Sequence, residues 1–421
     1  MSRLMCRAGA TVTVLLFMQT TEASARWAHT LDHVFKGPDG ANPVGGVISD
    51  QAGNIYGVSR SGGAYGDGTV FMLSPPVAGR IKWTETVLHS FNHAAGDGAN
   101  PAAGLVRDAR GNLYGTTAAG GALLYGTAFR LAPPAHAGAT WAETILHSFG
   151  GSDQDGENPA SQLTIGAGGK LFGTTFSGGS SGNGTVFQLS PPTHGNSPWA
   201  ETVLHSFGGV DGSGPMGTLA VDTSGNLFGT TESGGSSNDG AVFQLSPPTP
   251  GQTAWTTSVV TSFSYAAGTG VSPLSGVVLD SAGDLVGTTY AGGKHGAGAV
   301  FALHLPAQGQ TQWQESLLYS FTYDAKRGAF PATGVISDAA GNLYGTTQGG
   351  GKHNNGTLFQ LSPPASGKQT WTETVLHSFA TGTGNGGEPN GTVTPDASGN
   401  VFGTAYDGGK FGAGTVFKLS P

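Results

Sequence analysis

A single cysteine, Cys6, in 421 residues leaves no disulfide framework and no cysteine-built metal site. Charge is also scarce. Only 10% of the residues are Asp, Glu, Lys or Arg, and no basic run offsets a formal net charge of -8, which argues against nucleic acid as a partner. Low charge combined with 37% hydrophobic residues is not the composition of a disordered chain. Three catalytic patterns are missing: the Gly-x-Ser-x-Gly elbow, the His-Glu-x-x-His helix and the Gly-x4-Gly-Lys-Ser/Thr phosphate loop. No catalytic residue, metal ligand or cofactor is therefore expected. What abounds is glycine, 74 residues, with 23 prolines. Each glycine inside a helix costs about 1 kcal/mol relative to alanine, so the composition excludes a mainly helical chain and predicts β structure with many turns.

Residues 1–25 read as a secretory signal peptide. Arg3 and Arg7 begin it, Ala8 to Met18 form its apolar stretch, and Ala23-Ser24-Ala25 supply a small-residue cleavage site. The apolar stretch falls short of the roughly 20 residues that span a bilayer. Cys6 precedes that stretch, which argues against a lipid-modified cysteine at the cleavage point. The mature chain, 26–421, is expected to be secreted or periplasmic with no membrane span.

Self-similarity dominates the mature chain. The glycine of Asn-Leu-Tyr-Gly-Thr-Thr recurs at Gly57, Gly115, Gly173, Gly229, Gly287, Gly345 and Gly403, five of the six gaps being 58 residues and one 56. All 7 tryptophans are used in a second marker, Trp followed eight positions later by Phe, from Trp27/Phe35 to Trp371/Phe379. A third marker is a glycine pair followed five residues later by Gly, as in Gly62-Gly63 and Gly68. Each unit carries four strand signals, in the second unit Gly104 to Arg107, Leu113 to Thr117, Thr127 to Leu131 and Trp141 to Phe149. Alternation along the last strand predicts that Trp83, Glu85, Val87, His89 and Phe91 share one face.

Seven four-stranded units predict an all-β, seven-bladed β-propeller forming one domain over 26–421. The phase of the ends sharpens this reading. The mature chain starts with a lone Trp-type strand and stops after a third-type strand, so the N-terminal strand is expected to complete the last blade and close the ring. A β-helical solenoid is the competing architecture, but it gains nothing from that offset and needs polar caps that are absent. Asp-x-x-Gly-Asn, as in Asp108 to Asn112, is expected to form the turn between the first and second strands.

The three-part pattern Asn-Leu-Tyr-Gly-Thr-Thr, Gly-Gly-x4-Gly-Thr-Val-Phe-x-Leu-Ser-Pro-Pro and Trp-x-Glu-Thr-Val-Leu-His-Ser-Phe resembles the GloVer tandem repeat. That family comprises exported bacterial proteins described as having a choice of anchor. The resemblance covers essentially the whole mature chain and implies repeat architecture and export, with no activity to carry over. Unlike the anchored members, this chain ends with a strand and shows no sorting segment, so surface attachment is not expected.

Residues present in nearly every unit are expected to build blades, and positions that differ between units are expected to carry function. His33, His89, His147, His205 and His377 recur at one strand position, and Glu85, Glu143, Glu201, Glu315 and Glu373 at another. Equivalent positions in adjacent blades lie roughly 17 Å apart in a propeller of this size, too far to share a metal or act as a catalytic pair. The connections from fourth to first and from second to third strands should share one rim. The former carry Asp39, Asp97, Asp155 and Asp211, replaced later by Thr269, Arg327 and Asn385. The latter vary just after the Thr pair: Arg60, Ala118, Phe176, Glu232, Tyr290, Gln348 and Tyr406. Lys294-His295 and Lys352-His353 follow further along. Arg60, Phe176, Glu232, Tyr290, Lys294, His295, Gln348, Lys352, His353 and Tyr406 are thus the candidate ligand-binding residues. They suit a non-enzymatic binding or structural module for an extracellular glycan or protein. The alternative is a hydrolase or lyase acting on extracellular polysaccharide, with Glu232, Arg60, Tyr290 and His295 converging at the channel mouth.

Overall fold

The computed structural model describes residues 27–421 apart from 78–81, 137, 153, 194–197, 308, 367 and 382–383, so the expected signal peptide lies outside the described residues. Seven blades of antiparallel strands form a ring, a seven-bladed β-propeller, with the inner strand pair of blade 6 detached as a two-stranded sheet of its own. In blade 2 the third strand, Thr127–Ala132, lies between the second, Leu113–Gly120, and the fourth, Ala142–Ser148. The first strand differs from expectation: it is broken into Gly98–Pro101 and Val106–Arg107, both paired with the second strand. The break falls where the chain turns along the central channel and leaves the ladder between Pro101 and Val106.

Blade 7 is completed by the other end of the chain. Ala28–Val34 runs antiparallel to Thr415–Ser420, with Ala28 opposite Ser420 and Val34 opposite Thr415. Ala28–Val34 is the outermost strand of blade 7, and without it the outer edge of Thr415–Ser420 would be left unpaired.

The sequence markers are the contacts between blades. Fully buried Phe91, at the end of the blade 1 fourth strand, packs on Phe129 of blade 2 with ring centroids 5.1 Å apart. The same contact recurs round the ring to Phe379–Phe417 at 5.0 Å and Phe35–Phe71 at 5.1 Å. Gly115 is required beneath Phe129, because a Cβ there would lie 2.7 Å from its Cζ. Tryptophan instead packs backwards: Trp141 of blade 2 meets Tyr56 of blade 1, and Trp83 of blade 1 meets Phe402 of blade 7. The first threonine of the Thr pair joins blades too. Thr116, Thr230 and Thr288 donate to the carbonyls of Ser161, Ser275 and Thr333 in the following blade.

These opposite directions overturn the expectation that Trp, Glu, Val, His and Phe share one face. A β-bulge interrupts every fourth strand between the Val and His positions. In blade 1, Val87 pairs with Phe71 and His89 with Val70, leaving Leu88 extra. An extra residue puts positions i and i+2 on opposite faces. Trp83 and Glu85 therefore face the preceding blade, while His89 and Phe91 face the following one.

The Asp-x-x-Gly-Asn turn forms as expected. Asp108 Oδ1 accepts the N–H groups of Arg110 and Asn112, Oδ2 accepts Asn112 Nδ2 and Tyr114 Oη, and Gly111 sits at φ 88°. These bonds hold the Asp108 carboxyl below its usual range in spite of the opposing effect of burial.

Deleting residues 27–35 removes the fourth strand of blade 7 and the Phe35–Phe71 contact together. The melting temperature of the truncated chain should fall by at least 10 °C relative to the chain beginning at residue 26. An unchanged melting temperature in calorimetry would show that the ring does not depend on this strand.

Candidate functional site

The channel mouth is built from the first strands of all seven blades. A cavity of about 650 Å³ is walled largely by small residues, among them Gly45, Ala103, Ala160, Gly217, Gly276 and Gly334. Polar side chains on its lining include Arg60, Gln162, Gln348 and Asn390, and no carboxylate or imidazole lines it among the described residues.

One backbone device fixes this rim. In each blade a residue with positive φ at the start of the first strand donates its N–H to a carbonyl in the preceding blade. Asn100 reaches Asp67, Asn158 reaches Tyr125, Ser272 reaches Asp239 and Phe330 reaches Ala297, each at 2.8–2.9 Å. Asn42, Asn100 and Asn158 add side-chain bonds to the carbonyls of Tyr406, Arg60 and Ala118. Asparagine tolerates this left-handed backbone; phenylalanine does not, and such a residue stores of order 1–3 kcal/mol of strain. Phe330 occupies it nonetheless, at φ 61°. Its ring lies 5.5 Å from Tyr290 and 5.6 Å from the exposed Tyr323, centroid to centroid. The Phe330 carbonyl accepts the N–H of Gln348, which places this aromatic cluster beside the cavity lining.

The ten candidate residues do not share one place. Arg60 and Gln348 line the cavity. Arg60, Phe176, Glu232 and Tyr406 end second strands instead of lying in free loops, and Tyr290 and Gln348 follow directly after theirs. Phe176 lies over Gly214 of the next blade, where a Cβ would come within 2.9 Å of its ring, and Tyr406 packs on the cluster that contains Val44 of blade 1. Lys294, His295, Lys352 and His353 are exposed at the outer edge, where the Lys352 N–H donates to Ser378 Oγ. Of Glu232, Arg60, Tyr290 and His295, only Arg60 lines the cavity.

The loop aspartates also leave the mouth. They fold back onto the outer seams, each seam being the junction of two neighbouring blades. His89 Nε2 of blade 1 lies 2.8 Å from Asp97 Oδ2 and 3.7 Å from Glu143 Oε2 of blade 2. His147 Nε2 lies 3.1 Å from Asp155 Oδ2 beside Glu201, and His33 Nε2 lies 3.3 Å from Asp39 Oδ2. Sequence comparison of equivalent positions missed these triads because they join inequivalent ones, a histidine and a glutamate 54 residues later. The bulge brings the two together. Burial pushes the Glu85, Glu143 and Glu201 carboxyls up to about 7. Burial alone would lower His89, but the bond to Asp97 and the charges of Glu143 and Asp97 raise it above the ordinary histidine value. Between blades 6 and 7 the pair is His377 and His29, stacked at 3.9 Å, and burial pushes both down to about 4.

With this geometry the comparisons with known proteins can be placed. The Gloeobacter/Verrucomicrobia repeat model matches residues 9–142, 86–257 and 249–421, and the chain belongs to that family. No curated protein sequence matches the chain. Among solved structures, a Bacteroides uniformis protein named as a 6-phosphogluconolactonase superposes with a TM-score of 0.51 at 14% identity, covering 82% of this chain and 86% of its own. A Thermus thermophilus protein named as an oxidoreductase (glucose dehydrogenase) gives 0.40 at 15% identity, covering 92% and 99%. At such identities the first likeness shows the fold alone and the second carries no argument. No helix among the described residues is long and apolar enough to cross a membrane.

The stacked histidines give a pH dependence of defined sign. A histidine held near 4 in the fold and near 6.5 when unfolded contributes stability that is present above 6.5 and lost as the pH falls towards 4. Replacing His377 with Gln should flatten the decline of melting temperature between pH 6.5 and 4.5 relative to the parent chain. Parallel curves for the two proteins would remove the pair from the acid response.

Proposed function

We propose that the chain is an exported, secreted or periplasmic, binding module whose ligand docks on the channel rim across blades 5 and 6. The observation that carries this reading is Phe330. Six other blades place Asn, Gly, Ser or Glu at its position, residues that fit the backbone or expose a polar side chain there. Blade 6 bears the strain of a phenylalanine and supports it with Tyr290 and Tyr323, giving an aromatic platform next to Gln348 and the cavity. Exposed aromatic faces stack on sugar rings and on apolar side chains, and a few polar groups then fix orientation. Arg60 and Gln348 are such groups, which suits a glycan or a protein loop. The rival hydrolase or lyase reading needs an acid and a base near the bound bond, and the described residues of the cavity lining supply neither.

Screening the purified mature chain on glycan and protein arrays supplies the ligand for the test. Phe330→Asn restores the residue used in blades 1 to 3, and should cut affinity at least tenfold while leaving the melting temperature equal or higher. Tyr290→Ala should weaken binding similarly, and Tyr406→Ala less. Equal affinity for Phe330→Asn and the parent would take the platform out of the function.

A further inference from the structure

The triads at the outer seams change composition round the ring, and the changes follow charge. Between blades 5 and 6 the three positions hold Tyr319, Arg327 and Glu373. Arg327 donates to Tyr319 Oη at 2.8 Å, Tyr319 donates to Glu373 Oε2 at 2.8 Å, and the Gly328 N–H donates to Oε1 at 3.0 Å. The one carboxylate there has partners on both oxygens and a fixed cation beside it. Between blades 3 and 4 the glutamate is absent; Asp211 meets His205 Nε2 at 2.7 Å and Thr257 meets its Nδ1 at 3.0 Å. Between blades 6 and 7 His377 and His29 hold the strand positions, with Asn385 at the loop position.

Three seams have two carboxylates, one imidazole and no arginine in the set, His33, Asp39 and Glu85 between blades 7 and 1 being the third, but the ligand atoms converge in only two of them among the described residues. His89, Asp97 and Glu143, and likewise His147, Asp155 and Glu201, each offer three ligand atoms within 4.8 Å of one another. Glu143 Oε1 and Glu201 Oε1 are buried without a hydrogen-bond partner among the described residues. We propose that these two outer seams, between blades 1 and 2 and between blades 2 and 3, each bind one divalent first-row transition-metal ion such as zinc through these three side chains.

The donor set and its spacing fit such an ion. Imidazole nitrogen with carboxylate oxygen suits zinc and its neighbours. Donors on a tetrahedral zinc with bonds of 2.0–2.1 Å lie about 3.3 Å apart, close to the 2.8 and 3.7 Å already present round His89. The aspartates are held in place by backbone donors, Asp97 by the N–H groups of Asn92 and Gly98, and Asp155 by those of Gly151 and Gly156. A carboxylate has about four lone-pair directions, so these bonds leave others for an ion. The side chains are only partly covered, His89 at 21% and His147 at 23% exposure, which gives the ion an entry path and a site for water. Because histidine and glutamate come from neighbouring blades, the ion would fasten one blade to the next. A proton shared between the two carboxyl groups is the competing way to neutralise each seam.

Chelator-treated mature protein titrated with Zn²⁺ by calorimetry should take up two equivalents, and saturation should raise the melting temperature by several degrees. His89→Gln and His147→Gln should each lose one equivalent, the double variant both, and Glu315→Gln between blades 4 and 5 neither. Cobalt(II) absorption of the parent protein gives a readout that needs no variant. No uptake and no thermal shift in the parent would assign the seams to a shared proton and overturn the proposal. So would two equivalents retained by the double variant, which would place the metal at exposed pairs such as His93 with Asp67 or His304 with Asp284.

Discussion

Each blade is held to the next by a pair of phenylalanines in steeply tilted contact, and every other regularity of the chain serves that contact. The ring centroids are 4.9–5.1 Å apart at all seven junctions. Such a pair contributes roughly 0.5–1.5 kcal/mol beyond the burial of its area. Its geometry demands a second-strand residue with no side chain, since a Cβ at any of the seven glycines would sit 2.4–2.8 Å from the third-strand ring. The N-terminal segment meets the same demand from both sides. Residues 28–34 complete blade 7 by strand pairing, and Phe35 then docks on Phe71 of blade 1. One short stretch therefore closes the sheet and the aromatic girdle together.

The number of blades, the strand content and the closure were legible because each follows from a repeated residue with one physical job. Gly115 has to be small, Trp141 has to pack on Tyr56, Phe149 has to be buried, and Asp108 has to turn the chain. The bulge was not legible. A period of two along Trp83 to Phe91 looks like ordinary alternation, and nothing in those nine residues marks Leu88 as the extra one. Its presence is decided by the partner strand, where Phe71 and Val70 are consecutive while Val87 and His89 are not. That single residue reverses the direction in which His89 points, and it converts two rows of remote side chains into triads across the seams.

The channel rim was half legible for a related reason. The varying position after the Thr pair picks out Gln348, which lines the cavity, and Tyr290, which packs on Phe330, but a pattern along one unit cannot show which residue of the next unit it meets. Phe330 and Tyr323 belong to the loop that joins blades 5 and 6, and they become partners of Tyr290 only through the strand-to-strand hook at the following blade. Lys294 and Lys352 share a loop with the residues of the mouth and still lie at the outer edge, because the glycine pair turns the chain outward between them.

The two surfaces vary under different rules, and the difference lies in which atoms do the joining. At the rim the hook is a backbone N–H, so its side chain is free to change, and Asn, Gly, Ser, Glu and Phe all occur on one repeated bond. At the outer seams the side chains themselves make the junction, so a change at one position requires changes at the others. Arg327 occurs with Tyr319 and Glu373, and His29 occurs with His377. An arginine at the loop position of the first three seams would have a histidine to face and no tyrosine hydroxyl to relay its charge to the glutamate. Independent variation is what a surface for recognition needs. Variation in matched sets is what a junction between blades permits, and the propeller keeps the two at opposite ends of its radius.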